Sequence, residues 1–334
     1  MNRRIAIVYN EPQASRYDTV GEQKAVLGVL DAVNAVHQAL LGLGSQVHLV
    51  PLSPPYELIR KQIASLEADL AFNLFEGLPE QPETEALIPE LLAESGIPYT
   101  GCPATAIDLA LDKSRAKMTM QLAGIRTPAF QLLTPKTLSN FNLRYPCIVK
   151  PLREDASHGL SEESVVSDLA ALARQVSRIC RTYGKEALVE EFIPGRELNV
   201  TVLGNSVTTV LPISEIEYSL PQGIPEILTF AAKWEPESLY FKGTRVVCPA
   251  RIQPGTQKLV AETAVRAFTR FGCRGYARVD MRLNAKGELN AIEVNPNPDI
   301  SPGAGTTRQA EAAGMTYTEF IDRIVELGLS EHQP

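Results

Sequence analysis

Asp280, Glu293 and Asn295 stand in two short runs near the end of the chain, RVD and EVNPNP. Residues 275–283 and 289–294 read as strands. The connection Asn284-Ala285-Lys286-Gly287 is a hairpin signal, so the two strands are expected to be antiparallel neighbours. Residues 293 and 295 are two apart and share one face of their strand, and Asp280 faces them across the ladder. Two carboxylates and an amide oxygen on one side of a sheet suit magnesium, which takes few carboxylates and completes its shell with water and nucleotide phosphates. Arg278, two residues before Asp280, shares that face, where a guanidinium can steady a developing oxyanion. An exposed hairpin with charged tips accounts for Asp280 alone. It does not account for RxD followed by ExN on one face.

A second group is cationic. Lys150 ends the apolar run YPCIVK, so its ammonium can reach a cleft while its stem stays packed, and lysine is a point charge suited to phosphate. Taken singly, Lys150 and Lys113 read as solvated surface charges.

The elements that hold these groups alternate in the first third of the chain. Residues 4–9 (RIAIVY), 46–52 and 69–75 (DLAFNLF) read as strands, and 21–43, 55–66 and 84–95 as helices. Such alternation implies a parallel, doubly wound sheet over residues 1–105. Residues 96–101 (GIPYTG) read as a further strand and 107–123 as a helix. Strands at 127–133, 145–150 and 187–192, with a helix at 168–183, imply a small α+β lobe over residues 106–194. From 195 to 334 come several β-like runs, a helix at 255–271, the hairpin and a closing helix at 317–327. Residues 220–225 (LPQGIP) read as a mobile loop.

The chain has 334 residues, room for two or three compact units. A net charge of -7 argues against a general nucleic-acid binder. Five cysteines are scattered without CxxC spacing, which reads as reduced thiols in a cytoplasm. The apolar start at residues 5–8 is too short for a signal-peptide core, and no stretch approaches the roughly 18 apolar residues that span a bilayer.

RVD…EVNPNP resembles the metal-binding end of ATP-grasp enzymes, and the whole chain resembles the D-alanine–D-alanine ligase family. IPYTG…ALDKSRAK, YPCIVKP, ALVEEFIPGRE and GCRGYARVD recur in the family's order and near its spacing over residues 70–327. The N-terminal unit matches in pattern only. The resemblance implies an α/β fold in which two α+β lobes grip ATP, preceded by a Rossmann-like domain. It implies an enzyme that activates a carboxylate as an acyl phosphate and joins it to an amine. ATP and magnesium follow, with two ions sharing Glu293 and manganese as a substitute. Lys113 and Lys150 would meet the phosphates, Glu190, Phe192 and Ile193 the adenine, Glu197 the ribose, and Ile292 the nucleotide pocket. Lys233 lies in LTFAAKWEPE, which resembles the loop that closes over the γ-phosphate. Trp234 beside it either walls off water or fills core. Residues 153–159 (REDASHG) occupy the place of the family's glycine- and serine-rich phosphate loop. Ser157 and Gly159 are retained, whereas Asp155 and Ala156 depart from the pattern. His158 reads as an incidental loop histidine.

The substrate positions depart further. Glu11 is the candidate for the acid that holds the first substrate's amine, although the glycine-rich frame around it is absent. Phe75-Glu76-Gly77 and Pro82-Glu83-Thr84-Glu85 stand where the family has a His-Gly turn and Gly-Glu-Asp-Gly. The Ser-Leu pair that receives the second substrate's carboxylate falls on Ala304 and Gly305. Alanine offers no hydroxyl, which leaves Ser301, Thr306 or Arg308. The expectation is a carboxylate–amine ligase acting on small molecules other than a pair of D-alanines. D-alanine–D-alanine ligation itself and ATP binding without catalysis are the alternatives. Retention of Arg278, which serves only chemistry, speaks against the last. By family analogy a homodimer would form through the N-terminal unit.

Overall fold

Ile5, Ala6, Ile7 and Val8 are fully buried, as residues must be in a strand with neighbours at both edges and helices on both faces. The computed structural model describes residues 3–13, 27–78, 81–154, 157–184 and 186–330. In it, β1 (Arg4–Asn10) runs parallel between β2 (Gln46–Leu52) and β3 (Leu70–Leu74). Helix α1 (Val29–Gly42) packs on one face, and α2 (Tyr56–Ala64) and α3 (Leu87–Glu94) on the other. Of the helix expected over 21–43, residues 21–26 lie outside the described residues. The helix expected over 84–95 opens as a 3-10 turn, Pro82–Ala86. Residues 96–101 make one parallel bridge, Tyr99 to Ala71, rather than a ladder. Gly96 and Gly101, both at positive φ, confine the extended stretch between them.

The helix expected over 107–123 is two helices, α4 (Ala104–Leu111) and α5 (Lys113–Leu122). Asp112 between them is extended, and its carboxylate accepts from the N–H groups of Ser114 and Arg115. That side-chain cap satisfies donors a helix start leaves orphaned.

An antiparallel sheet follows, of β4 (Phe130–Leu133), β5 (Cys147–Pro151), β6 (Val165–Val166) and β7 (Ala187–Glu191), in the order β4-β7-β5-β6. Helix α6 (Leu169–Thr182) backs it through Leu172, Val176 and Ile179. Strand β5 runs one residue past Lys150, because Pro151 pairs with Ala187 at the strand's end, where a missing donor costs little.

The third sheet is also antiparallel. It holds β8 (Arg196–Gly204), β9 (Thr208–Val210), β10 (Ser214–Tyr218), β11 (Thr244–Val247), β12 (Gly275–Leu283) and β13 (Leu289–Asn295). The order is β11-β10-β8-β12-β13, with β9 also on β8. Two short helices, α7 (Phe230–Trp234) and α8 (Leu239–Lys242), stand between β10 and β11, capped by Thr229 and Ser238. Helix α9 (Pro254–Arg270) covers one face, where Ala264 and Phe268 meet Val200, Val202, Val279 and Met281. The alternate residues, Glu197, Asn199 and Thr201 on β8 and Arg278, Asp280 and Arg282 on β12, make the opposite face polar. Helices α10 (Gly305–Ala312) and α11 (Tyr317–Ser330) close the chain. Phe320 and Ile324 of α11 return to the first sheet against Ile5, Ile7 and Phe72.

Residues 220–225 form neither helix nor strand, and the Tyr240 hydroxyl holds them at the Pro225 carbonyl. Among the described residues, no helix is long and apolar enough to cross a membrane. All five cysteines are free thiols.

Candidate active site

The polar face of β8, β12 and β13 opens on a cleft of about 860 Å3. Every residue assigned a catalytic, nucleotide, metal or substrate role from the sequence borders this one cleft, except Thr306. Thr306 is fully buried against Thr201 instead. Of the phosphate loop, Asp155 and Ala156 lie outside the described residues.

Strands β12 and β13 pair as expected. Asp280 lies opposite Glu293, and Arg278 opposite Asn295. The register slips between Asp280 and Met281, so Ile292 is an extra residue. This bulge lets Ile292 and Glu293, although neighbours in sequence, both border the cleft. Arg278 clasps Asp280 with Nε to Oδ1 at 2.7 Å and Nη2 to Oδ2 at 2.8 Å. Burial alone would lower the Arg278 pKa, but Asp280 raises it above the ordinary arginine value. Asn295 accepts from the Asn297 N–H at 2.9 Å. Burial pushes the Glu293 carboxyl up, yet Lys113, Lys150, Arg278 and Lys233 outweigh it and hold the group below the usual carboxylate value. Four cations therefore bear on one carboxylate. Lys233 itself is pushed down, first by burial and then by Arg278.

Lys113 owes its place to the Asp112 cap, and its ammonium donates to the Glu154 carbonyl. Arg153 reaches Asp112 at 3.2 Å, which ties the start of the phosphate loop to the same cap. Ser157 is at φ 64, the only non-glycine residue with positive φ among the described residues, and its hydroxyl donates to the Leu228 carbonyl at 2.9 Å. A left-handed serine is uncommon and marks a backbone the surroundings impose. His158 is buried, with its ring 5.7 Å from that of Phe230.

Glu190 is fully enclosed, and Lys117 at 3.3 Å and Lys150 at 3.4 Å grip its two oxygens. Burial raises its pKa, and the two lysines more than reverse that. Lys117 is 1% exposed and donates to the Thr127 hydroxyl at 3.0 Å. Burial drags its pKa down to about 8 against the pull of Glu190. Sequence reasoning passed over Lys117, although it is four residues from Lys113 and shares that helix face. Around Glu190, Glu293 and Asp280 the cations Lys113, Lys117, Lys150, Lys233 and Arg278 are in excess, which suits a polyanionic ligand.

At the hinge, Gly195 is at φ 131, and a Cβ there would collide with the Leu283 carbonyl oxygen. Phe192, Ile193 and Glu197 flank it at the cleft. Glu197 Oε2 accepts from the Tyr218 hydroxyl and from Arg282, both at 2.8 Å. Neither Tyr218 nor Arg282 was singled out from the sequence. Arg282 continues the period-two face of Arg278 and Asp280, which was the available signal.

At the far end stand Glu11, Asp299, Ser301 and Arg308. The Ser301 hydroxyl donates to Asp299 at 2.7 Å, and Arg308 donates to the Gly303 carbonyl at 2.6 Å. Ala304 is the N-cap of α10, and a Cβ on Gly305 would stand 3.9 Å from Arg278 Nη1. Gln309, fully buried, bolts α10 to the sheet. It accepts from Thr201 N–H at 2.8 Å and donates to Asn199 Oδ1 at 2.8 Å and Ser214 Oγ at 3.1 Å. Asn297 joins this end to the first unit through the Phe75 carbonyl at 3.1 Å and Glu85 at 2.8 Å. Trp234, half-buried, borders the cleft with its ring 6.3 Å from that of Phe230.

A family model described as "D-ala D-ala ligase C-terminus" matches residues 119–326. A D-alanine–D-alanine ligase of Haemophilus influenzae is 30% identical, the match covering 88% of this chain and 94% of that one. A putative D-alanine–D-lactate ligase of Streptomyces coelicolor is 35% identical over 80% of this chain and 75% of its own. The crystal structure of D-alanine–D-alanine ligase from Bacillus anthracis complexed with ATP superposes with a TM-score of 0.76 at 21% identity. That match covers 99% of this chain and 98% of the other. The likeness is one of fold, with two gripping lobes behind a parallel-sheet unit.

Proposed function

Because this chain belongs to the D-alanine–D-alanine ligase family, we propose that it spends ATP to join a small carboxylate to an amine, on a substrate pair other than two D-alanines. The observation that carries the proposal is the ring of Lys113, Lys150, Lys233 and Arg278 around Glu293, beside Asp280, in one cleft with the hinge.

Asp280, Glu293 and Asn295 offer hard oxygen donors on paired strands, and Glu293 is kept ionised by its cations. This donor set fits magnesium. A divalent cation held there would neutralise charge on the terminal phosphates of ATP. Lys113, Lys150 and Lys233 hold the same phosphates from the sides. The substrate carboxylate attacks the γ-phosphorus, ADP leaves, and an acyl phosphate forms. The amine then attacks the acyl carbon, Arg278 steadies the oxyanion, and inorganic phosphate departs as the amine loses its proton. Trp234 screens the acyl phosphate from water. Side chains form no covalent bond, so placement and charge supply the rate.

The substrate reading rests on the far end of the cleft. The start of α10 presents Ala304 and Gly305, so backbone N–H groups and Arg308 must do what a hydroxyl does elsewhere. Asn297 and Glu85 bring an acidic segment of the first unit against the metal strand. The Streptomyces relative is named as a putative ligase for D-lactate, a second substrate other than D-alanine, which supports this reading.

A panel of amino acids and small acids with magnesium and ATP, read by ADP release and product mass, tests the proposal. D-alanine alone turning over at about 1–1000 per second would instead make this a D-alanine–D-alanine ligase. ATP that binds but yields no ADP with any acid and amine would leave only ATP binding.

A further inference from the structure

Arg282 stands on the cleft face of β12, directly across from Glu197 on β8. Its side chain is 7% exposed. Nη1 donates to Glu197 Oε2 at 2.8 Å and to the Glu226 carbonyl at 2.9 Å, and Nη2 donates to the Gly195 carbonyl at 3.0 Å. The guanidinium carbon lies 5.0 Å from the centre of the Phe192 ring. Nε is buried without a hydrogen-bond partner. One planar cation thus touches the hinge carbonyl, the hinge aromatic, the carboxylate beyond the hinge and the strap between β10 and α7.

We infer that Arg282 is the positioning residue that fixes Glu197 for the nucleotide's ribose and so sets the preference for a ribonucleotide over its 2′-deoxy form. This rests on the reading of the cleft as an ATP site.

A carboxylate can accept from both ribose hydroxyls, and does so at least cost when its rotamer is already chosen. Arg282 and the Tyr218 hydroxyl both bind Oε2, so Oε1 is the atom left for a ligand. A free glutamate would lose side-chain entropy on meeting the ribose, and here that loss is incurred on folding. The bond to Glu226 adds a second consequence. The strap reaches the phosphate loop through Leu228 and Ser157, so a displaced Arg282 loosens the cover over the nucleotide as well as the ribose seat. A lysine would keep the charge but could not reproduce a planar fork that serves three oxygens.

Equilibrium binding of ATP and 2′-deoxy-ATP to the wild-type protein, Arg282→Met, Arg282→Lys and Tyr218→Phe tests this. A hydrogen bond to a charged acceptor corresponds to about tenfold or more in affinity, so the wild type should favour ATP by about that ratio. In Arg282→Met the ratio should fall below about threefold, with KM for ATP rising about tenfold and kcat falling much less. Arg282→Lys should lie between, and Tyr218→Phe, which keeps the arginine, should narrow the ratio less. An unchanged ratio in Arg282→Met of native circular dichroism overturns the inference. If that variant does not fold, an unchanged ratio in both Arg282→Lys and Tyr218→Phe does the same. A wild type that binds neither nucleotide refutes the ATP reading itself.

Discussion

Arg278 and Asp280 lie two residues apart on β12, and two hydrogen bonds of 2.7 and 2.8 Å join them. The carboxylate proposed for the metal and the guanidinium proposed for the oxyanion are therefore each other's partner. The pair holds both groups at the cleft. A divalent cation held at Asp280 would compete for the same lone pairs and would leave donors of Arg278 for substrate.

Removing either carboxylate should therefore stop chemistry by different routes. Asp280→Asn loses a ligand and leaves Arg278 without its ion pair, whereas Glu293→Gln loses the ligand on which four cations bear. Each should lower ADP release on the order of 100-fold or more, with native circular dichroism. Wild-type rates in both variants would remove the metal assignment.

Gly195 should not tolerate a side chain. At φ 131 an L residue is strained, and its Cβ would meet the Leu283 carbonyl. Gly195→Ala is expected to cost at least about 1–3 kcal/mol and to raise KM for ATP, because Phe192 and Glu197 hang from this hinge. A thermal melt and an ATP titration check both, and a variant that matches wild type in each would show that the hinge backbone relaxes freely.

The polar face of the third sheet was legible because strand periodicity is strict. Once RVD and EVN are strands, Arg278 and Asp280 share a face, and Glu293 and Asn295 must too. The bulge at Ile292 was not legible, since one extra residue leaves no mark in an apolar run. The helix expected over 107–123 runs through Asp112, although an aspartate is also a strong N-cap. Lys117 and Arg282 carried their signal in spacing, four and two residues from residues already chosen. Their partners, Glu190 and Glu197, come from other strands. Helices α7 and α8 span too few residues for a helical period to show, so Lys233 was located by motif rather than by element.

Gln309 offers a separable test of how α10 is held. Replacing it with leucine leaves the Thr201 N–H and the Asn199 amide without partners in a buried place, at about 1–3 kcal/mol for each group left unpaired. The start of α10 should then shift beside Arg278, raising KM for the amine more than KM for ATP. Denaturant unfolding with separate titrations of the two substrates checks this. Equal rises in both would mean that α10 serves the fold alone.

Lys117 makes a prediction in pH. Its pKa in the folded protein is about 8, against an ordinary lysine value of 10.5. Below pH 8 both the native and the unfolded chain hold the proton, so Lys117 contributes no slope. Between about pH 8 and 10.5 the unfolded chain keeps a proton that the native chain has lost, so stability rises with pH, by at most about 1.4 kcal/mol per unit. Lys117→Met removes that rise. It also leaves Glu190 with Lys150 alone, which should cost about 3–5 kcal/mol at pH 7, as for any broken buried pair. Lys117→Met/Glu190→Gln should recover part of that loss. Urea unfolding of wild type and Lys117→Met at pH 7, 9 and 10 isolates the effect, since every other titrating group is common to the two, and the double variant is compared with them at pH 7. Wild type and Lys117→Met with the same dependence on pH would mean that Lys117 stays protonated throughout, and that Glu190 outweighs the burial.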